Sequence, residues 1–134
     1  MTTTATGPFE VKLNPEAPSA PASAAGLGRM SLDKQFHGDL EARSQGEMLA
    51  FRSPVEGSAG YVAMETVTGR LHGREGSFTL QHSSTMRRGA PVQSISVVPD
   101  SGTGELTGLE GRMTIIIEGG KHSYRFEYSL PEPR

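Results

Sequence analysis

The chain has 134 residues, the size of one domain, and its 13 Lys and Arg against 15 Asp and Glu give a formal net charge of −2. Nucleic-acid binding needs a concentrated cationic surface. The sequence offers no basic cluster beyond Arg87 and Arg88, so we expect no nucleic-acid partner. The lack of cysteine excludes a disulfide framework, a thiol nucleophile and thiolate metal sites.

Metal sites, cofactors and membrane spans also lack a signal in the sequence. The four histidines are scattered and no pair has the close spacing of metal ligands, so we expect no metal ion and no other cofactor. No apolar run approaches the ~20 residues of a membrane span, so we expect no membrane partner. Residues 1–8 lack the basic and apolar parts of a signal peptide, which predicts a cytoplasmic location.

Turn residues divide the chain into short segments rich in β-branched and aromatic residues, without a sustained helical period. The 17 Gly and 9 Pro fall about every ten residues in the second half. This spacing predicts an all-β meander. The predicted strands cover residues 7–13, 29–37, 39–51, 58–68, 76–84, 92–99, 103–117 (with a break at 108–111) and 121–130.

About eight antiparallel strands are enough to close into one barrel, whose interior is filled by side chains or holds one small ligand. Residues 1–134 are therefore expected to form a single antiparallel β-barrel domain. A sandwich has the same composition and stays an alternative. Residues 14–28 are rich in Pro and Ala and have little to bury, which predicts a mobile loop between the first two strands.

Alternation of apolar and polar residues assigns the inward face of several strands, because strand side chains point to opposite sides with period two. His82 is in phase with Phe78 and Leu80, so the imidazole is predicted to face the core. Residues 115–117 are three consecutive isoleucines and break the alternation. We expect this strand to be covered on both sides, with a homo-oligomer contact as one explanation.

The glycine-rich motifs of the chain form a recognisable set that spans nearly its whole length. The motifs are Phe36-His37-Gly38-Asp39-Leu40, Gly60-Tyr61-Val62-Ala63-Met64-Glu65, Gly69, Gly73 to Phe78, Gln81-His82, and Ser101 to Leu106 with Gly108 and Gly111. In this order and spacing, the chain resembles the bacterial domain-of-unknown-function family 3224. The resemblance implies a barrel similar to allene oxide cyclase, within the lipocalin-like group, and brings no established activity. By analogy of fold alone, such barrels hold apolar small molecules and can steer a cyclisation or isomerisation.

Glu65 and His82 are the candidate catalytic residues. If Tyr61, Ala63 and Glu65 face inward, a carboxylate and an imidazole meet on neighbouring strands inside the barrel. Burial raises the pKa of a carboxyl group and lowers that of an imidazole, so such a pair can act as general acid and base near neutral pH. The opposite register, which turns Glu65 outward, fits the sequence equally well. A purely structural hydrogen-bonded pair is the other interpretation.

Three further residues are predicted to contact a ligand: Tyr61, Glu105 and Tyr124. Glu105 follows a glycine-rich segment that fits a tight turn better than a phosphate-binding loop, because a strand follows where a helix is needed. The sequence thus predicts a barrel that binds an apolar small molecule, with cofactor-free cyclase or isomerase activity as an extension. The alternative is a filled barrel that acts as an oligomeric or protein-interaction module.

Overall fold

The computed structural model describes residues 2–131, which form one closed barrel of eight antiparallel strands in chain order. The predicted all-β barrel is therefore confirmed, and the sandwich alternative is wrong. The elements are β1 (Thr3–Glu16), α1 (Ala20–Ala24), β2 (Gly28–Phe36), β3 (Leu40–Arg52), β4 (Ala59–Leu71), β5 (Arg74–Arg87), β6 (Ala90–Val97), a 3-10 helix (Gly104–Leu106), β7 (Glu110–Glu118) and β8 (Lys121–Ser129).

The predicted loop at residues 14–28 is mostly ordered structure, which corrects the sequence analysis. Strand β1 continues to Glu16, with Pro15 opposite Met30 on β2. Proline is tolerated there because it lies near the end of its strand, where a missing N–H costs little. The short helix α1 follows, and its N-cap Ser19 accepts a hydrogen bond from the Ala22 N–H at 3.3 Å.

The predicted strand at 103–117 begins later than expected, at Glu110. Gly104 adopts a positive φ of 58°, a conformation that ends an extended segment and that glycine adopts at low cost. The Leu106 N–H then bonds the Thr103 carbonyl at 2.9 Å and closes a turn. Leu106 and Leu109 are fully buried there, so this segment plugs one end of the barrel instead of extending a strand.

The two halves of the barrel interior are packed differently. At the plugged end, aromatic and aliphatic side chains fill the space, and the rings of Phe78 and Phe126 stack at 5.6 Å between centroids. The opposite end lies where β1 ends and β2 begins, and inward-facing Leu13 is half exposed there. We call these the filled half and the open half.

Strands β6 and β7 close the barrel with few backbone pairs. Among the described residues, their register contains only Ile95 opposite Met113 and Ser96 opposite Arg112. Every other pair of neighbouring strands has at least seven such positions. Beyond the two backbone pairs, a side chain of β6 bonds the backbone of β7. The Oε1 of Gln93 accepts a hydrogen bond from the Ile115 N–H at 3.0 Å.

Gly46 allows β3 and β4 to approach closely opposite Glu65. A Cβ atom at position 46 would lie 2.0 Å from the Met64 carbonyl oxygen and 2.7 Å from the Glu65 Cα. Both contacts are to backbone, so the strands would have to separate to admit a side chain. Glycine therefore sets the position of the Glu65 carboxylate in the barrel.

We expect Gly46→Ala to lower the free energy of unfolding by about 1–3 kcal/mol, because the added methyl group overlaps the β4 backbone. Urea denaturation measures this change. Gly60→Ala is the matched control on β4, since its Cβ would lie 3.6 Å from the Ser84 carbonyl oxygen, an ordinary contact. Equal stability of the two variants would contradict the close approach at Gly46.

Candidate functional site

The register of β4 turns Glu65 into the barrel. Ala63, Glu65 and Val67 are buried, whereas Val62 and Met64 are 56% and 49% exposed. The structure thus selects one of the two registers that the alternation left open. His82 on β5 is also buried, as its phase with Phe78 and Leu80 predicted.

Glu65 pairs with a lysine, which the sequence analysis did not anticipate. The Nζ of Lys34 lies 3.1 Å from Oε1 and 2.9 Å from Oε2 of Glu65, and the two side chains are only 6% and 1% exposed. Lys34 comes from β2, so the ion pair reaches across β3 to β4. The ammonium also lies 5.5 Å from the ring centroid of Phe9 and 5.9 Å from that of Phe36. The positive charge is therefore matched by a carboxylate and enclosed by aromatic faces.

His82 is hydrogen-bonded to Tyr61 rather than to Glu65. The Tyr61 hydroxyl lies 2.8 Å from His82 Nε2, and the two rings pack edge to face. Glu65 is opposite Leu80 in the β4–β5 register, and His82 is opposite Ala63, so the predicted acid/base residues occupy diagonal positions. The structure brings Tyr61, Glu65 and His82 to the same region, with Lys34 bonded to the carboxylate.

The surroundings of His82 keep its imidazole neutral. Burial, assisted by the positive charge of Lys34, lowers the pKa of His82 to about 4. Burial also raises the pKa of Tyr61; a hydrogen bond with Ser84 opposes the rise and the negative charge of Glu65 adds to it. At neutral pH the pair is thus an uncharged phenol beside an uncharged imidazole.

Tyr124 and Glu105 lie apart from this group. The Tyr124 hydroxyl accepts a hydrogen bond from the Leu40 N–H at 2.8 Å and donates one to the His37 carbonyl at 2.7 Å. These two hydrogen bonds connect the turn between β2 and β3 to β8. Glu105 is an exposed residue of the 3-10 helix, and its Oε1 accepts a hydrogen bond from the Glu75 N–H at 3.1 Å. Both side chains have backbone partners, and neither lines the cavity described next.

A cavity of about 230 Å³ occupies the open half of the barrel. Most of its lining is aliphatic or aromatic, and the polar lining side chains are Lys34, Tyr61, His82, Gln93 and His122. Its apolar wall consists of Phe9, Val11, Leu13, Leu32, Met48, Ala63, Ile115 and Ile117. The arrangement is typical of a small-molecule site, with apolar walls and a few polar groups that fix orientation.

Lys34, Gln93 and His122 are the polar site residues that the sequence analysis missed. Lys34 carried a signal, because it is a charged residue in phase with the apolar Leu32 and Phe36. Its partner Glu65 lies two strands away, and only the pairing of β3 with both neighbours reveals it. No comparable feature of the sequence pattern distinguishes Gln93.

A larger depression of about 620 Å³ lies mainly on the outer surface, between the segment that contains α1 and the outward faces of β3 to β5. Its outward-facing lining includes Leu49, Val62 and Met64, together with the exposed Arg29–Glu47 ion pair. No buried charge is directed into it. The interior cavity is therefore the better candidate site, although it is smaller.

The isoleucine run at 115–117 is not covered on both sides within the monomer. Ile115 is partly buried against the core, whereas Ile116 and Ile117 are 37% and 63% exposed. Residues 2–131 thus do not provide the expected covering on both sides. A homo-oligomer contact at this strand stays a prediction.

Residues 2–131 contain no group of three or more His, Cys, Asp or Glu side chains arranged to hold a metal ion. The helices within this range include none that is long and apolar enough to cross a membrane.

We expect Lys34→Met to lower the free energy of unfolding by about 3–5 kcal/mol, because it leaves the Glu65 carboxylate buried without its cation. Combining it with Glu65→Leu should recover most of that loss, since two apolar side chains can replace the pair. Urea denaturation of both single variants and the double variant measures the coupling. Additive losses in the double variant would show that the pair is not coupled.

The His82 pKa predicts a specific pH dependence of stability. The folded-state pKa of about 4 lies below the ordinary histidine value of 6.5, so between these values the folded protein binds fewer protons than the unfolded chain. The stabilising contribution is present above pH 6.5 and is lost as the pH falls towards 4. We expect wild type to lose about 2 kcal/mol more than His82→Gln over this range, allowing for solvent screening. Urea denaturation between pH 7 and 4 tests this, and parallel losses in the two proteins would contradict it.

Similarity to known proteins establishes the family. The family described as Protein of unknown function (DUF3224) matches residues 5–128. A crystal structure of a protein with unknown function from the DUF3224 family of Shewanella oneidensis MR-1 has a TM-score of 0.93 and 53% identity, covering 99% of this chain and 100% of that chain. No functionally curated protein matches the sequence. The resemblance found in the glycine motifs is thereby confirmed, and the chain belongs to the DUF3224 family.

Proposed function

We propose that this barrel binds an apolar small molecule in the cavity of its open half. The observation that carries the proposal is the cavity of about 230 Å³ with apolar walls and the polar side chains of Lys34, Tyr61 and His82. These polar groups are bonded to one another in pairs, Lys34 to Glu65 and His82 to Tyr61. They form a fixed polar patch in an otherwise apolar space.

The size of the cavity limits the ligand. An apolar cavity of about 150 Å³ accepts benzene. By proportion, about 230 Å³ accommodates a molecule of about nine non-hydrogen atoms. A larger residue at Ala63 would fill part of this space and improve packing, so the small side chain is consistent with a site that is kept open for a ligand.

We expect indole, a compact apolar molecule of suitable size, to bind the native protein and raise its unfolding temperature. Ala63→Leu should weaken binding at least about tenfold, since its side chain occupies the cavity. The chain contains no Trp, so indole fluorescence reports the bound probe without a protein background of the same kind.

Val62→Leu is the matched control, because Val62 is the neighbouring residue and is directed to the outer surface. It should bind indole as wild type does. Equal binding by both variants would place indole outside the barrel, and no binding by wild type would refute an apolar interior site. Urea denaturation of the two variants ensures that a folded protein is compared in each case.

A second candidate function is a cofactor-free cyclisation or isomerisation of the bound molecule. The observation that favours it is the hydrogen bond between Tyr61 and a neutral His82 at the polar end of the cavity. A phenol can donate its proton to an oxygen of the ligand while the imidazole accepts one from elsewhere on the molecule, which is general acid–base catalysis. In this proposal Glu65 holds Lys34. A direct proton-transfer role for Glu65 stays a prediction.

A further inference from the structure

The charges at the polar end of the cavity are already balanced. Lys34 is the cation that lines the cavity, and both oxygens of Glu65 lie within 3.1 Å of its Nζ. A carboxylate ligand would compete with Glu65 for this ammonium. An ammonium ligand would meet the like charge of Lys34, since Glu65 does not line the cavity. Either charged group would leave water without gaining an unshared counter-charge, which costs free energy.

His82 supplies no charge to attract an anion. His82 lies opposite Ala63 and Ile95 on the neighbouring strands, and its Nε2 is hydrogen-bonded to the Tyr61 hydroxyl. Burial and the nearby Lys34 cation hold its pKa at about 4, so the imidazole is neutral under ordinary conditions. The Tyr61–His82 pair therefore offers dipoles instead of charges.

The polar groups that face the cavity can donate hydrogen bonds. Either Tyr61 or His82 donates in the bond between them, and when His82 Nε2–H is the donor the phenolic proton can be donated to the Ser84 hydroxyl or to a ligand. At the rim, Gln93 uses its Oε1 to accept from the Ile115 N–H, which leaves the amide NH₂ group to donate. An uncharged ligand with a hydrogen-bond acceptor matches these groups.

We propose that the ligand of this cavity is an uncharged carbonyl compound of about nine non-hydrogen atoms, with its oxygen directed to Tyr61 and its apolar body against the aliphatic wall. The inference rests on the proposed binding function and specifies its ligand class. A ketone, ester or lactone satisfies it, and a fatty-acid anion or an alkylammonium ion does not.

The test compares four aromatic molecules of nearly the same size by isothermal titration calorimetry on the native protein at pH 7.5. Acetophenone carries a neutral carbonyl, benzoate an anion, phenethylammonium a cation, and indane no polar group. We expect acetophenone to bind at least about tenfold more tightly than benzoate or phenethylammonium, because neither ion finds an unshared counter-charge.

Tyr61→Phe tests the hydrogen bond to the carbonyl. It should weaken acetophenone binding by about fivefold, the loss of one neutral hydrogen bond, and leave indane binding within about twofold of wild type. Indane is the internal control, because it fills the same space without using the hydroxyl group. The four-ligand comparison on the native chain does not depend on how this variant folds.

The outcomes separate this inference from the binding function itself. If benzoate or phenethylammonium binds as tightly as acetophenone, the neutral-carbonyl assignment is overturned while the cavity stays a binding site. An unchanged acetophenone affinity in Tyr61→Phe overturns the assignment to Tyr61. If neither indole, indane nor acetophenone binds, the binding function fails and the ligand class fails with it.

Discussion

The ion pair between Lys34 and Glu65 is the constraint on which the interior of the barrel depends. Two opposite charges are buried there, and each is tolerated only because the other lies within 3.1 Å. The pair requires β2, β3 and β4 to stay in register, with Gly46 on β3 giving β4 room to approach. On one side of the pair the interior is filled by aromatic and aliphatic side chains, and on the other side lies the cavity.

The same ion pair determines the chemistry of its neighbours. The positive charge of Lys34 adds to burial in holding the pKa of His82 at about 4, and the negative charge of Glu65 contributes to the raised pKa of Tyr61. The histidine and the tyrosine that line the cavity are thus both uncharged at neutral pH. This electrostatic setting supports the proposed recognition of a neutral molecule. It also explains how the polar side chains of Lys34, Glu65, Tyr61 and His82 can lie together in a region whose other walls are mostly apolar.

The sequence predicted the architecture well and the site in part. Alternation placed His82 in the core because strand periodicity is local, and the spacing of turns predicted about eight strands. Glu65 was found as a candidate, but its partner was not, because Lys34 lies 31 residues away and meets it only through the pairing of β2, β3 and β4. The segment from Gly104 to Gly108 is not part of a strand as predicted, since positive φ at these two glycines changes the direction of the chain.

The short seam between β6 and β7 has a consequence for solubility. A closed barrel normally leaves no strand edge exposed, but residues 90–94 and 114–118 continue beyond the two backbone pairs. Such edges are templates for pairing with another chain and hence for aggregation. Pro91 has no N–H to offer a foreign strand, and the Gln93 side chain occupies the N–H of Ile115. These two residues therefore limit pairing with a foreign strand along this seam.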